Sequence, residues 1–289
     1  MLALVCVASL LGACSPGQMV VRNLADQLAA QGQSSEEDLE LARDAGAFYL
    51  KLSESVLRQA PGHAALAQAV AGGFTQYAYA FVAFEADQLE GKDARGAQRL
   101  RERAARLYRR ARDHAIAALE QAHPGFAKAL ASPDRAVWPR LQPDQIGLAY
   151  WGAAAWGGMI SLSKDDPEVV ADLPLAMGLA RLAWEAEPDY AQGGLASLMG
   201  NFEAAQPGRA KQALDYFDRA ITLSGGKNAG AYVAKAEGHA QPTGDRSLFE
   251  ALLNKALAVR DEPGSPLALQ NEVMRRRAKW LMETAGDLF

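Results

Sequence analysis

The chain has 289 residues, 49% of them hydrophobic and 22% charged, a globular composition that supports one large domain or two small ones. Its net charge of −4 gives no global case for nucleic-acid binding, and its two cysteines cannot build a disulfide framework. Strong helix formers dominate the long segments, β-branched residues are sparse and period-2 alternation is nowhere sustained, so the expected class is all-α.

At the start, an uncharged apolar run ends in Leu11-Gly12-Ala13-Cys14 and gives way to Ser15-Pro16-Gly17-Gln18. Small residues before a cysteine at the end of such a run suit a lipoprotein signal peptidase, and the thiol is then the lipidation site. The run is about 13 residues, whereas a bilayer span takes about 20 and a signal core about 7–15. No Lys or Arg precedes it, so the basic start of an ordinary signal is missing. The expectation is a signal over residues 1–13 and a lipid anchor on Cys14, which places the protein in the periplasm. Ser15 lacks an aspartate-type retention mark, which points to the outer membrane. Cys6 would be removed and Cys14 acylated, leaving no disulfide and no thiolate metal site. Residues 14–34 then form an anchor and linker with a short helix over about 19–30.

A single helical domain is expected over residues 35–289. Ser35 and the acids Glu36, Glu37 and Asp38 suit a helix start, and that helix runs to about residue 59 before Pro61-Gly62. The next spans about 64–90 with a bend near Gly72-Gly73, and a third spans 93–122 before His123-Pro124-Gly125, where His123 reads as exposed. Residues 132–143 are proline-punctuated and hold a short helix at most. Asp144 caps a helix to about residue 162, and Asp166-Pro167-Glu168 and Pro174 open two more. Further helices are expected at about 189–203, 209–223, 228–239, 245–258 and 266–284, the last as a C-terminal cap.

These lengths pair, and the spacing Ala213, Phe217, Ala220 and Ile221 fits the second helix of a tetratricopeptide (TPR) repeat. Small residues let two helices approach and the aromatic fills the groove between them. Ala176, Ala180 and Ala183 repeat the spacing one unit earlier; Phe249, Leu253 and Ala256 repeat it one unit later. The clearest repeats therefore cover 174–258, and the whole reads as degenerate TPR-like hairpins in a compact superhelical body. The alternative is an arbitrary alanine-rich bundle.

Catalytic constellations are missing from the sequence. The four histidines fall into no metal-ligand spacing, the segment 194–200 misplaces its serine for a nucleophile elbow, and Gly225-Gly226-Lys227 reads as a helix C-cap. No enzyme activity, metal or cofactor is expected. Two stretches carry binding potential. Tyr150, Trp151, Trp156 and Met159 sit among Gly and Ala, where indoles serve either as core fillers or as cavity walls. Arg99, Arg103, Arg106 and Arg110 form a helical stripe that is either a solvated face or a dock for an acidic partner. The Arg275-Arg276-Arg277 run carries the same ambiguity.

The ordered set Tyr150 to Gly157, Ile160-Ser161-Leu162-Ser163, Leu173-Pro174, Glu187-Pro188-Asp189-Tyr190, Phe217, Leu223 to Lys227, Phe249 and Arg276 to Leu281 resembles the TatT family. Phe74-Thr75-Gln76-Tyr77 upstream is also similar. TatT proteins are the TPR-containing lipoprotein component of some TRAP (tripartite ATP-independent periplasmic) transporters. The resemblance implies an all-helical, non-enzymatic body with a pore or cavity and a periplasmic solute-binding P-component as partner. It also implies possible homotrimers and a hydrophobic or organic-acid ligand. Gly238-His239 departs from the aromatics expected there. The rival reading is a generic TPR lipoprotein that scaffolds an envelope complex.

Overall fold

The computed structural model describes residues 16–31 and 38–289. Cys14 and the apolar run before it lie outside the described residues, as does Ser35. Among the described residues there are helices and turns and no strand. The helices are α1 (Pro16–Gln31), α2 (Leu39–Leu57), α3 (Ala64–Ala78), α4 (Phe84–Leu89), α5 (Ala94–Ala122), α6 (Phe126–Leu130), α7 (Pro143–Ser161) and α8 (Pro167–Ala171). They continue with α9 (Leu173–Ala186), α10 (Gly194–Ala204), α11 (Ala210–Leu223), α12 (Ala229–Lys235), α13 (Arg246–Ala258), α14 (Ala268–Glu283) and α15 (Ala285–Leu288).

Side-chain caps fix most starts. The carboxylates of Asp38, Asp93, Asp166 and Asp245 accept first-turn amides of α2, α5, α8 and α13, which satisfies donors the helix itself leaves unpaired. At α7 the cap is Gln142 rather than Asp144: its backbone amide donates to Gln145 Oε1 at 2.8 Å, and Pro143 takes the first helical position. The same oxygen meets His123 Nε2 at 2.9 Å, so His123 is half-buried, not exposed.

The break or bend expected at Gly72-Gly73 is replaced by an irregularity about two turns later. α3 continues helical through its glycines, and Gly72 is where Trp151 packs; a Cβ would stand 2.9 Å from the indole. The irregularity is a π turn at Tyr79–Ala83, with a second at Ala236–Ala240 after α12. The helix expected over 189–203 opens as a 3₁₀ turn, Tyr190–Gly193, before α10.

Short connections fold consecutive helices onto each other. α5 packs against α3 and α7, α7 against α9, and α10 against α11, then α12, α13 and α14 follow. Ala213, Phe217 and Ala220 are buried, and Phe217 wedges between Gly200 of α10 and Gly238 of the second π turn. Burying that ring contributes about 1.5–3 kcal/mol. One large core runs from Ala25 and Leu28 of α1 to Phe202, and a second gathers Ala229 to Ala285. A small seam of Ala196, Ala220 and Ala231 joins them.

Candidate functional site

α7 passes through the middle of the body, touching α3, α5, α9 and α10. Between residues 145 and 160 it is buried except at Tyr150, Trp151, Ala154, Gly157 and Gly158. Those five recur at i, i+1, i+4, i+7 and i+8, one face of the helix. Gly157 on that face takes the Phe202 ring, where a Cβ would stand 3.0 Å away, and Tyr150 and Trp151 form its accessible end.

Aromatic rings surround one end of this stripe. Tyr150 and Trp151 have ring centroids 4.7 Å apart, and Tyr150 and Tyr190 are 5.3 Å apart. Gln68 Nε2 donates to the Tyr190 hydroxyl at 3.4 Å. Burial pushes the Tyr150 hydroxyl well above its ordinary range, so it stays a neutral donor. Next to it, Ala191 and Gln192 hold left-handed φ values of 56° and 49°. Non-glycine residues there cost about 1–2 kcal/mol each, a kind of strain that clusters at functional sites.

The stripe's other end leads to a charged cluster. A Cβ on Gly158 would stand 2.8 Å from the Tyr108 ring. Burial, then the proximity of Tyr79, raises the Tyr108 hydroxyl far above its usual value, which puts both rings in one neighbourhood. Tyr79 comes from the first π turn, and burial pushes its hydroxyl up to about 12 against the opposing charge of Arg277. Arg277 of α14 reaches Glu237 of the second π turn at 2.6 Å and Asp87 of α4 at 3.1 Å. Its guanidinium also lies 5.6 Å from the Tyr79 and Phe84 ring centres and 5.8 Å from that of Trp280. Burial opposes the charge of Arg277, and the surrounding anionic groups outweigh it. Each π turn thus delivers one residue to this cluster, and such turns recur at functional sites.

The four candidate cavity residues divide between two sides of α7. Tyr150 and Trp151 lie on the accessible stripe. Trp156 and Met159 are buried on another side, where Trp156 Nε1 donates to Asp172 Oδ2 at 3.1 Å. Arg112 covers them, 5.2 Å from the Trp156 ring centre and 3.8 Å from Met159 Sδ.

The arginine stripe divides too. Arg110 turns inward, gripping Glu54 of α2 through two guanidinium nitrogens and lying 5.0 Å over Phe74. Arg99 is exposed 3.7 Å from Asp93, and Arg103 and Arg106 are exposed without an ion pair among the described residues. With Arg95 and Arg109 they make a basic ridge on the outside of α5. Spacing along one helix did not disclose Arg277, Glu237 and Asp87, because they converge from three distant segments. Among the described residues, no group of three or more His, Cys, Asp or Glu is placed to hold a metal, and no helix is long and apolar enough to cross a membrane.

Comparison with known proteins agrees with this architecture. The chain is similar to an uncharacterized protein of Treponema pallidum (strain Nichols), 26% identical over 264 residues that span 89% of this chain and 82% of that protein. The model of the family described as TRAP transporter T-component matches residues 35–289. The chain belongs to that family, an accessory component associated with TRAP transporters of the cell envelope.

Proposed function

We propose that this T-component is a lipid-anchored periplasmic protein built of degenerate TPR-like hairpins. It holds a small hydrophobic or organic-acid ligand inside its helical body and presents it to a periplasmic solute-binding subunit. The observation that carries the reading is the accessible stripe of α7, Tyr150, Trp151, Ala154, Gly157 and Gly158, on a helix otherwise buried. Ala154 keeps the helix slim beside them, the aromatic rings of Tyr150, Trp151 and Tyr190 supply apolar walls, and their hydroxyl and indole groups orient a ligand. The basic ridge of α5 is the docking face for an acidic surface of the solute-binding subunit, since complementary charge steers encounter. Binding, not bond-making, is the task of these residues.

Tryptophan emission tests the ligand site. Titration with medium-chain fatty acids and with dicarboxylic acids is expected to shift emission in the wild type and in Trp156→Phe. Trp151→Phe is expected to lose the shift. An unchanged spectrum with every compound overturns the ligand reading, and a shift that survives in Trp151→Phe moves the site away from α7. Capture of outer-membrane assembly proteins in place of a solute-binding subunit favours the scaffold reading.

A further inference from the structure

Exposed large hydrophobic side chains are unevenly spread. Of the nine among the described residues, six lie on α1 and α2: Met19, Val20, Leu24, Leu41, Phe48 and Leu52. Phe48 is 73% exposed, Val20 68%, Met19 67% and Leu41 54%. Single exposed apolar residues are ordinary, whereas a concentration on two adjacent helices marks an interaction surface.

The pattern on α2 is regular. Leu41, Ala45, Phe48 and Leu52 recur at i, i+4, i+7 and i+11, an unbroken outward stripe, and Ala45 is exposed with the rest. The opposite side of the helix carries Leu39, Leu50, Ser53 and Leu57 into the body. Tyr49, beside the stripe, donates its hydroxyl to the Leu28 carbonyl of α1, so the stripe leans toward α1. α1 in turn buries Ala25 and Leu28 and leaves Met19, Val20 and Leu24 outside. Of the acids beside it, Asp26 meets His63 at 3.0 Å and Glu40 meets Arg276 at 3.5 Å, while Asp44 is exposed at the edge of the stripe.

We propose that this α1–α2 face rests on the lipid bilayer, with Met19, Val20, Leu41 and Phe48 inserted at the depth of the headgroups and upper acyl chains. The inference rests on the reading of Cys14 as the acylated residue. Pro16 lies two positions after Cys14, a reach of at most about 7 Å. An acyl chain on Cys14 therefore holds the first turn of α1 at the membrane surface. Met19 and Val20 follow within about 6 Å along the helix axis. Stable anchoring takes more than one membrane contact, and an apolar face adjoining the acyl chains supplies a second. The inserted side chains are uncharged, so insertion is expected to depend little on salt.

The test uses full-length protein, matured in cells and reconstituted into vesicles of phosphatidylethanolamine and phosphatidylglycerol. Single substitutions Met19→Cys, Leu41→Cys, Phe48→Cys and, as control, Val137→Cys carry an environment-sensitive fluorophore. All four are exposed, so the fold is not at risk. Flotation and intact mass report acylation; quenching by shallow nitroxide lipids reports contact of each label with lipid. The expected result is several-fold stronger quenching at 19, 41 and 48 than at 137, unchanged by added salt. Protein that is acylated and floats, but whose labels at 41 and 48 are quenched no more than at 137, overturns this proposal and leaves the anchor standing. Absence of acyl chains, with all labels unquenched, overturns both. Disulfide-linked pairs of Phe48→Cys chains without lipid quenching make the face a contact between copies and overturn the bilayer proposal.

Discussion

Glu54 projects from α2 into the body with 3% of its surface exposed, and cations close around it. Arg110 grips it with two nitrogens, Lys51 reaches it at 2.8 Å, and His114 Nε2 lies 2.9 Å away. Burial by itself would raise this carboxyl; the hydrogen bonds from Arg110, Lys51 and His114 and the Arg110 charge prevail and hold it far below the usual carboxylate range. Unfolded, the group takes up its proton at about pH 4.3. As pH falls, the unfolded chain is therefore protonated first. The stability contributed by Glu54 is present above that value and is lost below it, at up to about 1.4 kcal/mol per pH unit. Glu54→Gln is expected to cost about 2 kcal/mol at neutral pH, since it leaves Arg110 without its charge partner. In denaturant titrations the gap between wild type and variant should stay constant above about pH 5 and narrow steadily as pH falls below it. A gap independent of pH would show that packing, not charge, makes Glu54 matter. The pair was not legible in the sequence. Arg110 reads as one member of a surface stripe, and only the crossing of α2 and α5, 56 residues apart, turns it inward.

α5 was the most legible element. Asp93, the alanine face and the Pro124-Gly125 stop set its ends and its buried side from local chemistry alone. Its outer ridge carries the docking expectation. Arg103→Glu combined with Arg106→Glu is expected to weaken association with the solute-binding subunit about tenfold at low salt and much less at high salt, because exposed charges are screened within roughly 10 Å. Circular dichroism should remain unchanged, since both side chains are exposed. Equal affinity for wild type and variant at both salt concentrations would remove α5 from the interface. The buried side of α11 was legible for the same reason as that of α5: Ala213, Phe217 and Ala220 are all buried, and Phe217 of α11 packs on Gly238, where a Cβ would stand 2.5 Å from the ring. The π turns escaped notice. Tyr79–Ala83 holds no glycine or proline to mark it, and Gly238 in Ala236–Ala240 reads as a local departure rather than as a π turn. The candidate site was half legible in consequence. Tyr150 and Trp151 stand out beside glycines, while the charged end depends on where two π turns meet α14.

Across the whole molecule, the second hydrophobic core, Ala229 to Ala285, is joined to the first in two ways. One is the alanine seam of Ala196, Ala220 and Ala231. The other crosses from α14 to the first π turn and α4: Arg277 to Asp87, Trp280 against Phe84 with ring centres 5.8 Å apart, and the Tyr79 hydroxyl on Met274 Sδ at 3.7 Å. The clasp thus ties segments 190 residues apart in the chain. Arg277 is the member whose loss cannot be absorbed locally, because it satisfies Glu237 and Asp87 together. Breaking a largely buried ion pair costs about 3–5 kcal/mol. Arg277→Met keeps the apolar stem against Tyr79, Phe84 and Trp280 but strands Glu237 and leaves Asp87 with Arg101 alone, at 3.9 Å. Hydrogen exchange should then speed up first in α12, α13 and α14, while α3, α5 and α7 keep their protection, because those three pack into the first core without the clasp. Uniform acceleration across all helices would mean that the two cores unfold as one unit and that the alanine seam, not the clasp, couples them.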